Sequence, residues 1–251
     1  MKGVIKMNQV IKTFMNHRSI RDYKEDMIKD EDLDVIVRAA QAAPSSINGQ
    51  QVSIIAVKDR EKKSKIAELT GDQLWIDQAP VFLLFALDFY RAKLAAEKNG
   101  VDLAITESLE SIMVGSVDVG LAMGNAIGAA ESLGLGIVPI GAVRREPMEI
   151  VKMLDLPEYV FPVCGLVIGY PRDTSSLKPR FPKEAIYHEE GYNKNLTSII
   201  DDYDTQISEY MRKRTKGESD RSWSQTVSEI YKTVYFPKVS PSIKGQGYEN
   251  R

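Results

Sequence analysis

Apolar residues Leu33, Ile36, Val37 and Ala40 recur at helical spacing behind Asp30 and ahead of Pro44, which predicts a helix over residues 31–43. The pattern then changes. Residues 52–57 form an unbroken run rich in valine and isoleucine, the signature of a buried strand. Charged positions at 58–65 begin a short amphipathic helix that ends near Gly71, and residues 81–87 give a second apolar strand stopped by Asp88. A long helical stretch covers residues 105–133. It ends at Gly134-Leu135-Gly136, where glycine supplies a left-handed cap, and residues 137–142 follow as a third strand. A short helix over 147–154 and a fourth strand over 163–169 complete this part.

From residue 172 on the chain is polar, rich in charge and poor in strand signals. It carries one amphipathic helix, with Tyr203, Ile207, Tyr210 and Met211 on a face, and a second helix over residues 223–234. So few apolar residues cannot build a separate core. The expected organisation is therefore a core of residues 1–171 and a C-terminal helical extension, residues 172–251, wrapped over it.

Two features of the long helix matter. Residues 112–130 carry a single charge, Asp118, and so meet the length and composition of a membrane span. Their many small residues, and flanks holding Glu107, Glu110 and Glu131 but no lysine or arginine, favour a buried helix of a soluble protein. Ser116, Gly120, Gly124, Gly128 and Ser132 recur every four residues and so form one stripe. Such a stripe serves either tight packing within one chain or self-association about a two-fold axis.

Composition narrows the function classes. The 251 residues carry 33 basic and 35 acidic side chains, a formal net charge of −2, so no global field draws the molecule to nucleic acid or anionic lipid. A single cysteine, Cys164, rules out an intrachain disulfide, and its apolar surroundings read as inert core. With no apolar leader in the first residues, the expected location is the cytoplasm. Two histidines and one cysteine cannot assemble a usual zinc site. Glycine-rich phosphate loops and a nucleophile elbow are missing, and the histidine count argues against a catalytic triad, so no side chain is singled out as catalytic.

Three clusters remain. His17-Arg18-Ser19-Ile20-Arg21 places two guanidiniums beside a hydroxyl and an imidazole, the donors a phosphate needs when no glycine loop is present. Pro44-Ser45-Ser46-Ile47-Asn48-Gly49-Gln50-Gln51 packs hydroxyls and amides between a helix end and a strand. Lys178-Pro179-Arg180 holds two cations in extended geometry. Each alone also reads as ordinary solvated surface.

Taken in order, and with Pro139-Ile140-Gly141, Ala130-Glu131-Ser132-Leu133-Gly134-Leu135-Gly136 and Asp202-Tyr203-Asp204, these segments resemble the nitroreductase superfamily. More narrowly, the chain resembles its bacterial branch of NADPH-dependent flavin reductases and oxygen-insensitive nitroreductases, from His17 to about Trp223. The resemblance implies an α+β, three-layer fold with a central mixed, mainly antiparallel sheet flanked by helices. It also implies a homodimer with FMN at each subunit interface and the long helices paired. His17, Arg18, Ser19 and Arg21 would hold the FMN phosphate and ribityl chain, joined by Lys178 and Arg180. Ser45, Ser46 and Gln50 would reach over from the other subunit, and Gln73 and Gly141 would border the isoalloxazine.

The activity implied is ping-pong hydride transfer from NADPH through FMN to free flavin, nitroaromatics or quinones, with the protein supplying position and charge. A non-catalytic flavin-binding or storage protein on the same scaffold is the alternative. Arg214 matches the family arginine for the phosphate end of NADPH. The following Glu218-Ser219-Asp220 departs from the family's further arginine, which leaves room for NADH. Trp75 offers an aromatic wall for the acceptor pocket.

Overall fold

In the computed structural model the most apolar run, residues 81–88, is an inner strand buried on both faces, and the rest of the first unit is layered on it. The structure describes residues 7–172 and 175–249. Contacts divide the chain into two units, Met1–Ser175 with Phe236–Arg251, and Ser176–Tyr235. The division thus falls a few residues beyond the expected boundary at 171. The last residues of the extension belong with the first unit.

Along the chain the helices and strands are α1 (Gln9–Met15), α2 (Asp30–Gln41), β1 (Val52–Val57), α3 (Arg60–Leu69), α4 (Leu74–Gln78), β2 (Val81–Asp88) and α5 (Tyr90–Asn99). They continue as α6 (Leu109–Ser132), β3 (Gly136–Ile140), α7 (Pro147–Met153), β4 (Val160–Gly169), α8 (Thr197–Arg214), α9 (Trp223–Tyr231) and α10 (Val239–Gly245). The four expected strands form within a few residues of their predicted limits. The third stops earlier than expected because the backbone turns into a 3-10 helix at Gly141–Arg144. Helices α1, α4, α5 and α10 have no counterpart in the sequence reading. Three of them are no longer than a turn or two, too short for a periodic pattern to declare itself.

The sheet order is β1-β2-β4-β3 and every strand pair is antiparallel. A parallel bridge, Ser19 to Ile137, lies outside the strands and ties the N-terminal segment to the edge of β3. Between β2 and β4 the register slips at Phe85/Ala86, beside Pro162, whose missing N–H is tolerated at such a bulge. Because strand side chains alternate, Val81, Leu83, Phe85 and Leu87 join one core with Ile36 of α2 and Val119, Ala122, Ala126 and Ala130 of α6. Phe82 and Leu84 join the opposite core with Ile66 of α3, Ile76 of α4 and Ile150 of α7. The result is the expected three-layer α+β arrangement.

The long apolar helix α6 buries one face, including Ser111, Gly115, Asp118, Val119 and Ala122, against the sheet and α2. Met113, Val117 and Leu121 stay exposed on the other face. The stripe lies on that outer side. A Cβ added at Gly120 or Gly124 would meet nothing within 4 Å, whereas one at Gly128 would meet the Phe14 ring at 2.8 Å.

The segment after α10 is held within the first unit by Tyr248, fully buried, whose hydroxyl donates to the Tyr159 carbonyl at 2.7 Å. The Gln246 amide also donates to the Val160 carbonyl at 2.7 Å. In the second unit α8 buries Tyr203 and Ile207, as its apolar face predicts. The Phe181 ring packs between Tyr203 and Trp223, 3.9 and 4.8 Å between centroids. Asp204 accepts from the Ser224 amide at the start of α9, which Ser222 and Gln225 close with a capping box.

Candidate functional site

The segment His17–Arg21 runs from the end of α1 along the edge of β3, where the Ile20 amide donates to the Ile137 carbonyl at 2.8 Å. His17 Nδ1 lies 2.6 Å from Glu131 Oε1 in the last turn of α6. A carboxylate accepts, so Nδ1 carries the proton and Nε2 is the ring atom available to a ligand. Arg18 donates through Nη2 to Asn16 Oδ1 at 3.1 Å, while its buried Nε has no partner among the described residues. Arg18 borders a cavity of about 540 Å³ together with Lys12, Asn16, Glu131 and Gly136. Arg21 stacks its guanidinium 5.6 Å from the Trp75 ring centre, and the buried Trp75 indole N–H also lacks a partner. Along this segment two buried N–H groups, Arg18 Nε and Trp75 Nε1, stand unpartnered among the described residues, as does the buried Glu131 Oε2. Lys12 and Arg18 give the cavity donors suited to an anion, and Glu131 gives it an acceptor, whereas His17, Ser19 and Arg21 do not line it.

The second predicted cluster is a loop between α2 and β1. Ile47, Asn48 and Gln50 have positive φ values of 49°, 56° and 53°, costly for side chains other than glycine, and Ile47 is 94% exposed. The Ser46 amide donates to Asp118 Oδ1 of α6 at 3.2 Å, and the Gln50 amide donates to Ser45 Oγ at 3.2 Å. Ser45, Gln50, Arg91 and Asp118 border a second cavity of about 670 Å³.

These two clusters stand apart in one chain. Glu131 marks the first and Asp118 the second on the same helix, so at about 1.5 Å of rise per residue they are about 20 Å apart along α6. Gln73 directly precedes α4, its side-chain amide donating back to the Thr70 carbonyl at 2.8 Å, and Gly141 opens the 3-10 turn after β3. A Cβ added at Gly141 would stand 3.3 Å from Arg144 Nη2, the far end of a long side chain.

Lys178, Arg180 and Arg214 belong to the second unit. Lys178 and Arg180 are exposed, with the Pro179 carbonyl between them accepting from the Tyr203 hydroxyl at 2.8 Å. Burial raises the pKa of that hydroxyl, and Arg180 opposes the shift. Arg214 is the exposed last residue of α8, ahead of a turn in which Lys216 and Gly217 have positive φ. Arg212 pairs with Asp220 at 3.5 Å across that turn. Cys164 is buried, and burial pushes its thiol pKa up, in keeping with an unreactive core residue.

Sequence reasoning assigned no role to Glu131, Asp118, Asp88 or Arg91, which hold the two clusters. One signal was present: Asp118 is the lone charge in an otherwise apolar helical run.

The profile described as Nitroreductase family matches residues 14–170, and that described as Nitroreductase family, C-terminal domain, matches residues 178–251. The chain belongs to the nitroreductase family. A relative from Bacillus subtilis named FMN reductase [NAD(P)H] is 54% identical over 246 residues, covering 97% of this chain and 99% of its own. The solved structure of NfrA2 from B. megaterium superposes with a TM-score of 0.96 at 57% identity, over 98% of this chain and 100% of that one. The NADPH:FMN oxidoreductase of Vibrio harveyi, solved with NAD+, superposes at 0.88 and 33% identity, over 97% of this chain and 100% of that one.

Proposed function

We propose that this nitroreductase-family chain is an FMN-dependent NAD(P)H oxidoreductase acting as a homodimer, with free flavin, nitroaromatics or quinones as acceptors. The observation that carries the reading is Arg18, which borders the cavity at the end of α6 with Lys12 and keeps a buried N–H unpartnered among the described residues; His17, Ser19 and Arg21 flank it in sequence. That donor set fits the phosphate and ribityl hydroxyls of FMN. Bound there, FMN supplies the hydride acceptance and delivery that no side chain in this protein can perform.

The chain's own residues then have defined tasks. Arg18 and Arg21 would neutralise phosphate charge, and Glu131 holds the His17 ring through Nδ1, which leaves Nε2 for a ligand. Gly141 and Gln73 border the ring system. Lys178 and Arg180 are assigned to the same cofactor, and Arg214 to the phosphate end of the nicotinamide nucleotide, on their matching positions in the sequence. Glu218-Ser219-Asp220 stands where the family carries a further arginine, with Arg221 displaced, which supports use of NADH as well as NADPH. The lone buried cysteine supports a cytoplasmic location.

The dimer rests on α6. A Cβ added at Gly120 or Gly124 would meet nothing within 4 Å among the described residues, beside exposed Met113, Val117 and Leu121. If two copies of α6 pair antiparallel about an axis near Gly124, Asp118 of one copy stands level with residues 130–131 of the other. The Ser45–Gln50 loop of one chain is thereby brought to the His17–Arg21 cluster of the second. A site split by about 20 Å within one chain becomes whole between two.

The deciding experiment is spectroscopic. The purified protein should be yellow or take up FMN, and anaerobic NADPH should bleach the flavin band within seconds. Persistent colour after NADPH would favour a flavin-storage protein, and failure to take up FMN would end both readings.

A further inference from the structure

Arg91, in the first turn of α5, makes one of the densest polar contacts in the first unit, with a segment far from it in sequence. Its Nη2 donates to the Gln50 carbonyl at 2.6 Å and to the Val52 carbonyl at 2.7 Å. Its Nη1 donates to Asp88 Oδ2 at 2.7 Å and Ser53 Oγ at 2.9 Å. Asp88 is itself buried, 6% exposed, and is held by the Ser53 hydroxyl and by the Tyr90 amide at 2.9 Å. Only a planar fork with several N–H groups can span two carbonyls and a carboxylate at once, which a lysine ammonium cannot reproduce.

The contact falls where the chain needs it. Gln50 is left-handed at φ 53°, close behind Ile47 and Asn48 in the same strained region. Such a backbone persists only when its surroundings over-determine it. The loop is pinned at its start by Asp118 on the Ser46 amide and at its end by Arg91 on the Gln50 carbonyl.

We propose that Arg91, anchored by Asp88, is a positioning residue that holds the Ser45–Gln50 loop in the conformation that binds FMN. The proposal rests on the assignment of that loop to the flavin site. Arg91 touches no flavin in this scheme. Without it the loop samples relaxed conformers, and apparent affinity falls by the fraction of time the binding shape is lost.

The test is titration of the full-length apoprotein with FMN, followed by quenching of flavin fluorescence. Arg91→Ala should weaken binding about tenfold, corresponding to a loop that holds the binding shape about one-tenth of the time. Arg91→Lys should behave similarly. Millimolar guanidinium should restore most of the affinity of Arg91→Ala, an effect that a general loss of folding would not show. A Ser45→Ala/Gln50→Ala double variant tests the underlying assignment separately. If that double variant binds FMN normally, the loop is not part of the site. If it is impaired while Arg91→Ala binds normally, or if guanidinium gives no rescue, the positioning role is overturned.

Discussion

Gly124→Leu separates the two readings of the small-residue stripe by sign. Within one chain the substitution is harmless, because a Cβ at Gly124 meets nothing within 4 Å. Helix propensity alone then stabilises the fold by about 1 kcal/mol, a rise of about 2–4 °C in Tm for a protein of this size. At a two-fold interface the same side chain appears twice, opposite itself. Overpacking costs about 1–3 kcal/mol per site, so the dimer loses about 2–6 kcal/mol, and its dissociation constant rises at least about 30-fold. Sedimentation velocity across a concentration series measures this directly, with FMN titration of the same samples. Dissociation should be accompanied by loss of FMN, since each site needs both copies. A variant that is more stable, equally dimeric and equally able to bind FMN would refute the antiparallel pairing through Gly124.

Other substitutions probe single contacts. Arg18→Ala should weaken FMN binding about 10- to 150-fold, the range for losing a charge-assisted hydrogen bond of about 1.5–3 kcal/mol, measured by the same fluorescence titration. Arg214→Ala should raise KM for NADPH while the purified protein keeps its full FMN content; unchanged NADPH kinetics would remove Arg214 from the nucleotide site. Burial pushes the phenols of Tyr23 and Tyr248 well above their ordinary pKa near 10. Folded protein therefore holds these protons longer than unfolded protein, so stability is complete below pH 10 and falls as pH rises beyond it. The two together give a slope of about 3 kcal/mol per pH unit, and Tyr248→Phe should remove about half of it in urea-melt midpoints followed against pH. Tyr248→Ala should cost about 3–5 kcal/mol at neutral pH by emptying a fully buried aromatic site, seen as a lower melting midpoint.

Much of this molecule is written locally. The apolar run at 81–87 has no option but a strand buried on both faces, and Gly134 must end α6 because its φ of 77° suits glycine. The order of His17–Arg21, Ser45–Gln50, Gly141 and Lys178–Arg180 identified the family and a flavin cofactor. Short elements escaped notice: α4 has five residues, and its placement depends on the buried Lys63, which donates to the Asp77 and Ala79 carbonyls.

What tertiary structure decided is which distant groups meet. Glu131 reaches His17 across 114 positions of sequence, Asp118 reaches Ser46 across 72, and Arg91 reaches Gln50 across 41. No periodicity or motif encodes such pairs, because each depends on how the sheet and α6 stack, a property of the whole core. The sequence by itself determined the strands, the long helix and the chemistry of the donors. Folding decided their spacing: it set two halves of the donor set about 20 Å apart on one helix, at a distance that a second, antiparallel copy can close.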